Sequence, residues 1–114
     1  MKTVKRGEIY WVDWGKGKGS EQSGVRPALI IQNDIGNEIS PKTIIASLTT
    51  ALNKPYPFLV HFKPKESGLP EDSTVDLASI LTISKNRLGD KCGQLSKDKV
   101  REVNIAICVS LGIE

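Results

Sequence analysis

The spacing of hydrophobic and polar residues predicts a small domain built mostly from β-strands. Short runs rich in aromatic and β-branched residues, which are typical of strands, alternate with segments rich in Gly, Pro, Asn and Ser, which are typical of turns. The predicted strands are 8–14 (EIYWVDW), 27–33 (PALIIQN), 43–50 (TIIASLTT), 58–64 (FLVHFKP), 73–84 (STVDLASILTIS, as one strand or two) and part of 84–95. The segment 34–42 (DIGNEISPK) is predicted to be a turn-rich connector.

The C-terminal segment has a different periodicity. Apolar residues recur there at spacings of three and four, which is the stripe of an amphipathic helix. The stripe consists of Val100, Val103, Ile107 and Leu111. Ser96 is suited to cap the start of this helix and Gly112 to end it. Many short strands and one helix favour a mainly β (β+α) fold, with a curled sheet or small barrel closed by a C-terminal α-helix.

Length and charge narrow the kind of protein. The chain has 114 residues, which suits one domain over 1–114, and a domain of this size leaves little room for a deep internal cavity. Any site is therefore expected in a surface groove or at a subunit interface. The net charge of +3 permits a polyanionic partner without requiring one. No apolar run approaches the roughly 20 residues that cross a bilayer, so a cytoplasmic protein without a membrane partner is expected.

Several kinds of catalytic site are not indicated. His61 is the only histidine and alternates with apolar residues in a predicted strand, where a histidine is more often structural or merely exposed. No cluster of ligands suggests a metal site, and no glycine-rich motif fits a bound nucleotide. We therefore expect neither a metal nor another cofactor.

The loop that leads into the second strand carries the strongest chemical signal. In GSEQSGVRPALIIQND, Arg26 stands between a flexible polar loop and an apolar strand, and Pro27 restricts the backbone beside it. The planar guanidinium matches a phosphate or carboxylate in bidentate geometry. A salt bridge to an acid such as Glu21 or Asp34 is the structural alternative.

The end of the third strand offers a partner for this arginine. If that strand pairs beside the second, a hydroxyl of Thr49 or Thr50 can approach Arg26, and an arginine with a hydroxyl forms a phosphodiester clamp. The alternative is that these threonines merely end a strand with local hydrogen bonds.

A single-stranded nucleic acid would also need positive charge and stacking surfaces. Candidate cations are Lys5, Arg6, Lys16 and Lys18. Candidate stacking residues are Trp11, Trp14, Tyr56 and Phe58, although core or dimer contacts are the more common role of such residues on strands.

The segments RGEIYWVDW, GSEQSGVRPALIIQND, TIIASLTT and LTISKNRLGDKCGQL closely resemble the MazF/PemK (Kid) toxins of type II toxin–antitoxin systems. The resemblance covers nearly the whole chain. It implies an SH3-like barrel of the CcdB/Kid type that forms a homodimer. It also implies a sequence-specific, metal-independent endoribonuclease (an mRNA interferase) that cuts single-stranded RNA and is inhibited by a cognate antitoxin with a disordered, acidic segment.

The same resemblance assigns roles to individual residues. Arg26 matches the catalytic arginine, Thr49 the catalytic Ser/Thr position, and Glu21 a loop acid that is important in some members. Ser20 and Gln22 match the loop that contacts RNA, beside the candidate RNA-binding cations Lys16 and Lys18. Without a metal, the 2′-hydroxyl of the RNA is the expected nucleophile.

The chain departs from the family pattern in one segment that would contact RNA. Many members carry an acid–Gln pair and a basic residue where this chain has Ala78, Ser79 and Leu81, so polar groups that help to read bases are missing. A non-catalytic barrel toxin that binds a protein such as a topoisomerase is the alternative function, and an inactive RNA-binding relative is a third. Arg26 together with Thr49 favours the nuclease.

Overall fold

The computed structural model describes residues 3–15, 24–50 and 54–114. The strands in these ranges are Glu8–Asp13 (β1), Val25–Ile30 (β2), Lys42–Thr50 (β3), Leu59–Phe62 (β4), Ser73–Ser84 (β5) and Leu88–Gln94 (β6). The helices are Asp34–Ile39 (α1), Pro64–Ser67 (α2) and Lys97–Leu111 (α3), and a 3-10 turn occupies Lys85–Arg87.

The strands form one antiparallel sheet in the order β4-β5-β3-β2-β1-β6. Segment 73–84, predicted as one strand or two, is a single long strand with a bulge. Ala46 of β3 pairs with Ile80, but the next residue, Ser47, pairs with Asp76, so residues 77–79 of β5 bulge out of the ladder. The predicted mainly β fold with a C-terminal helix is confirmed.

Alternation along the strands sends apolar side chains to both faces of the sheet. One face of the sheet packs against α3 and against the segment between α2 and β5. We call the buried residues on this side the helix-side core. Its buried members are Ile9, Leu29, Ala46, Leu48, Val60, Phe62, Leu69, Val75, Leu77, Leu95, Val103 and Ala106. The other face carries the second core: Val4, Tyr10, Val12, Ala28, Ile30, Ile45, Ile83 and Leu88.

The second core implies that the sheet curls. Its described members come from β1, β2, β3, the end of β5, the start of β6 and the N-terminal segment, with none from a helix. Ile30 and Ile45 are nevertheless 0% exposed. Strands of the same sheet must therefore bend over this face, as they do in a small barrel.

Helix α3 closes the helix-side core. The side chain of Ser96 accepts a hydrogen bond from the backbone N–H of Lys99, and Gly112 ends the helix with φ 72°, as predicted. Val103 and Ala106 are buried, whereas Leu111 is 59% exposed, so the predicted stripe is wrong at its last position. Ser110, rather than Leu111, faces the sheet and donates to the carbonyl of Leu77 at 2.6 Å. None of the helices described here is long and apolar enough to cross a membrane.

Helix α1 lies where a connector was predicted. Asn33 caps it by accepting from the N–H of Gly36 at 2.8 Å. Asn37 is only 3% exposed, and its side-chain oxygen accepts from the hydroxyl of Thr43 at 2.8 Å. The backbone carbonyl of Asn37 accepts from the buried ammonium of Lys85. These tertiary contacts stabilise a six-residue helix that is too short to be stable alone.

Candidate functional site: a polar row across the sheet

Arg26 and Thr49 lie on neighbouring strands, each two residues beyond the last described pair of those strands. Strands β2 and β3 pair Ile30 with Ile45 and Ala28 with Ser47. The described pairing ends at Ala28 and Ser47; the same register, if continued by two residues, would place Thr49 opposite Arg26. Directly opposed residues of an antiparallel pair project to the same face and lie roughly 4.5–5.5 Å apart between Cα atoms. The condition under which the sequence predicted a phosphate clamp, pairing of the second and third strands, is therefore met.

The row continues across the next two strands. Thr49 of β3 pairs with Thr74 of β5, and Thr74 pairs with His61 of β4. We call Arg26, Thr49, Thr74 and His61 the polar row. At about 4.8 Å between strands, it spans roughly 14 Å. It lies on the same face as the second core, because Arg26 is opposed on its other side by Val12.

Buried neighbours fix the backbone beneath the row. Arg26 and Thr49 are themselves half-buried. Their neighbours along the strands are at most 1% exposed: Ala28 and Leu29 after Arg26, and Leu48 before Thr49. Arg26, predicted at the end of a loop, thus lies in a strand whose buried residues cannot move without opening a core.

His61 and Thr74 are joined by a short hydrogen bond. The Nδ1 atom of His61 lies 2.7 Å from Oγ1 of Thr74, and Nε2 lies 2.8 Å from the carbonyl oxygen of Lys54. Because a carbonyl oxygen can only accept, Nε2 must carry a proton. Both ring nitrogens are engaged, so the imidazole is held in one orientation although its side chain is exposed.

Ser47 and Asp76 form a second pair of opposed polar residues, two positions along the strands from Thr49 and Thr74. Ser47 is 1% exposed, and its hydroxyl has no hydrogen-bond partner among the described residues. Asp76 accepts from the N–H of Ala78 at 2.9 Å and from the hydroxyl of Ser79 at 3.0 Å, so it fixes the bulge of β5. Leu81, beyond the bulge, is 37% exposed. The segment that departs from the family pattern is thus built around Asp76, which the sequence analysis did not single out.

Gly15 and Gly24, which flank the predicted loop, lie beside Arg26. The N–H of Trp14 donates to the carbonyl of Gly24, and the N–H of Gly24 donates to the carbonyl of Gly15, both at 2.8 Å. These bonds close the base of the loop next to the Asp13–Val25 pair. The predicted loop residues Lys16, Lys18, Ser20, Glu21 and Gln22 lie outside the described residues and remain predictions.

Of the predicted groove cations, the two described ones, Lys5 and Arg6, lie just before the start of β1. The guanidinium Nε of Arg6 donates to the carbonyl of Ile31 at 2.8 Å, and its backbone N–H donates to Asp34 at 2.7 Å. That hydrogen bond is the main reason that the pKa of Asp34 is lowered. Lys5 and Arg6 therefore lie at the end of β1 that is remote from Arg26. Arg87, which the sequence analysis missed, instead lies near the row, where it donates to the carbonyl of Asp13 at 2.8 Å.

The aromatic candidates also differ in position. Tyr56 is 49% exposed and stacks on Phe58 with a centroid distance of 5.4 Å, just before β4. Trp11 is 43% exposed on the opposite face from Val12, and Trp14 packs against the second core. The Tyr56–Phe58 stack is thus the aromatic surface nearest to the His61 end of the row.

No group of three or more His, Cys, Asp or Glu side chains in the described ranges is arranged to hold a metal ion. The donor set of the row, a guanidinium with hydroxyls, suits an anion and not a cation.

Comparisons with known proteins agree with this architecture. A family model described as PemK-like, MazF-like toxin of type II toxin–antitoxin systems matches residues 5–111. The chain is 44% identical over 111 residues to an endoribonuclease MazF of Staphylococcus saprophyticus, covering 96% of this chain and 92% of that protein. It is similar, with a TM-score of 0.82 and 27% identity, to a mycobacterial endoribonuclease solved with its cognate antitoxin, covering 97% of both chains. A MazF structure from Deinococcus radiodurans shares the fold, with a TM-score of 0.80, 21% identity, and coverage of 98% and 99%.

The unpartnered hydroxyl of Ser47 generates a stability prediction. A buried polar group without a partner costs about 1–3 kcal/mol, so Ser47→Ala should leave the free energy of unfolding unchanged or raise it by about 1 kcal/mol. Thr43→Val is the matched control, because that hydroxyl is equally buried but does donate a hydrogen bond. We expect it to lose about 1–2 kcal/mol in urea titrations. A loss of similar size for Ser47→Ala would show that its hydroxyl is paired.

Proposed function

The chain belongs to the PemK-like, MazF-like toxins of type II toxin–antitoxin systems, and we propose that its polar row binds a phosphate of single-stranded RNA and promotes cleavage there. The protein is an RNA-cleaving toxin that an antitoxin inhibits. The observation that supports the catalytic assignment is the register of β2 and β3, which pairs Ala28 with Ser47, the residues two positions from Arg26 and Thr49 on the same face.

Arg26 and Thr49 would bind the phosphate together. The guanidinium supplies a planar pair of N–H donors and a permanent charge, and the Thr49 hydroxyl supplies one further donor. Cleavage places additional negative charge on the non-bridging oxygens in the transition state. Donors held in place before the reaction stabilise that charge by about 3–4 kcal/mol for each well-placed group.

The RNA supplies its own nucleophile in this mechanism. The 2′-oxygen attacks the adjacent phosphorus and forms a new P–O2′ bond, while the P–O5′ bond breaks. The products are a 2′,3′-cyclic phosphate and a free 5′-hydroxyl. The 2′-hydroxyl proton must leave and the 5′-oxygen must gain a proton, and Glu21 is our candidate for this proton transfer.

Single-stranded RNA would extend along the face of the sheet from this clamp. Arg87 and the loop residues Lys16 and Lys18 would attract the backbone, and Ser20 and Gln22 would contact it. The Tyr56–Phe58 stack offers a surface on which a base can stack, an interaction that tolerates any sequence. The altered segment at Ala78, Ser79 and Leu81 would then contribute to the sequence preference.

The same proposal covers the partners and the compartment. A cognate antitoxin would inhibit the enzyme by laying a disordered, acidic segment across the RNA-binding face, where it would satisfy the same cations. We propose a homodimer, which would extend the groove across two subunits, and action in the cytoplasm, where bacterial mRNA is found.

Replacing Arg26 tests the clamp. We expect Arg26→Ala to lower kcat for RNA cleavage by at least about a hundredfold, and Arg26→Lys to be impaired as well, because a lysine lacks the bidentate fork. Arg101→Ala, which removes an exposed arginine paired with Asp98 on α3, is the control and should retain full activity. Circular dichroism should show all three variants folded.

Full activity of folded Arg26→Ala would refute this mechanism. A wild-type protein that leaves RNA intact but binds a protein such as a topoisomerase would support the non-catalytic alternative.

The second prediction concerns metals and product ends. Cleavage should proceed undiminished in excess EDTA, since the clamp consists of protein donors alone. Mass spectrometry of the fragments should show 2′,3′-cyclic phosphates and 5′-hydroxyls. A strict requirement for a divalent cation, or fragments that carry 5′-phosphates, would contradict the proposed reaction.

A further inference from the structure

Asp76 carries a negative charge on the same face of the sheet as the polar row. It lies two residues from Thr74 along β5 and opposes Ser47, so strand alternation sends its side chain to that face. Residues two apart on a strand are separated by about 7 Å, which places Asp76 close to a nucleotide whose phosphate is bound at the row. The side chain is half-buried. In the described ranges, no lysine or arginine forms a salt bridge with it.

Both oxygens of this carboxylate are held by the bulge of β5. One accepts from the N–H of Ala78 at 2.9 Å and the other from the hydroxyl of Ser79 at 3.0 Å. A carboxylate has about four acceptor positions, so each oxygen keeps one that these bonds do not use. The cross-strand neighbours do not fill them, because Leu59 is apolar and the hydroxyl of Ser47 has no partner among the described residues. Asp76 thus presents two open acceptors in a fixed orientation.

The bulge does not require the negative charge. An asparagine at position 76 would accept from the N–H of Ala78 through its oxygen and donate to the hydroxyl of Ser79 through its amide. A half-buried charge without an opposite charge costs free energy, so a neutral side chain would stabilise the bulge at least as well. The charge of Asp76 is therefore suited to a hydrogen-bond donor that comes from outside the chain.

The bases of RNA differ in the donors that they offer to a carboxylate. On its Watson–Crick edge guanine carries two adjacent donors, N1–H and the N2 amino group, which match the two oxygens of a carboxylate. Adenine and cytosine place one amino group beside a ring nitrogen that accepts, and uracil places one N–H between two carbonyl oxygens. Each of these three bases therefore sets an acceptor against the negative charge. Single-stranded RNA exposes these edges to protein side chains.

We propose that Asp76 is a specificity-determining residue: its carboxylate accepts hydrogen bonds from the Watson–Crick edge of a guanine next to the scissile phosphate. The inference rests on the proposed function, because it names a feature of the RNA that the same face binds. It also gives the altered segment of β5 a group that can read a base, which the side chains of Ala78 and Leu81 lack.

Sequencing of the fragments from a random RNA pool tests this preference. We expect wild-type cuts to be enriched for guanine at one fixed position beside the cut, and Asp76→Asn to cut RNA without that enrichment. Ser79→Ala removes one hydrogen bond to the carboxylate but keeps the charge, so it should retain the enrichment. Asp98→Asn, the same change at an exposed acid of α3, is the matched control and should leave the pattern unchanged.

A substrate analogue tests the hydrogen bonds themselves. Inosine lacks the N2 amino group of guanine but keeps N1–H. With inosine at the preferred position of an oligonucleotide, kcat/KM of the wild-type enzyme should fall by about tenfold, the discrimination expected of such a contact. Asp76→Asn should cut the guanine and inosine oligonucleotides equally well. Thermal melting shows whether Asp76→Asn folds; if it does not, Asp76→Ser, whose hydroxyl can still accept from the N–H of Ala78, replaces it with the same expectation.

Three results would each overturn the proposal: no preferred guanine in the wild-type pattern, an unchanged pattern in the folded Asp76 variant, or an equal loss of preference in Ser79→Ala. An inactive wild-type protein would refute the proposed function and the inference together. An active wild type that loses activity in Arg26→Ala but cuts the same sites in Asp76→Asn would leave the clamp standing and refute the role of Asp76 alone.

Discussion

The register between β2 and β3 is the constraint on which the rest of the site depends. A shift of one residue would turn Arg26 or Thr49 to the opposite face and would also exchange the buried sets on the two sides of the sheet. Leu29 and Ala46 fill the helix-side core, while Ile30 and Ile45 fill the second core. Because both faces carry buried apolar residues, the register is fixed by packing on both sides, and the two cores would set the geometry of the proposed clamp.

The position of the site follows from where the second core ends. On this face, β2 is apolar at Ile30 and Ala28 and polar at Arg26. Strand β3 is apolar at Ile45 and polar at Ser47 and Thr49. Polar groups at this border lie beside low-dielectric packing while remaining open to a ligand, which strengthens their interaction with a phosphate. Gly15 and Gly24, which flank the predicted loop, lie at the same border, next to Arg26.

Much of the fold could be predicted from local patterns, whereas the site could be predicted only in part. The strands and α3 follow from periodicity, but α1 depends on Asn37, Thr43 and Lys85 meeting in space, which no local pattern records. The motif at Arg26 was visible in the sequence. The connection from Thr49 to His61 was not, since it requires the strand order β3-β5-β4 and a bulge that resets the pairing of β5. A histidine that looks isolated in the sequence is therefore part of a row in the sheet.

The claim that Arg26 and Thr49 act together on one phosphate is tested most directly by a double-mutant cycle on kcat/KM for RNA cleavage. The cycle compares Arg26→Lys, Thr49→Val and the double variant with the wild-type protein. If the two groups bind the same transition-state charge, their effects should be strongly non-additive, with a coupling of about 1 kcal/mol or more. Effects that simply multiply would show that the two residues act independently and would contradict the account.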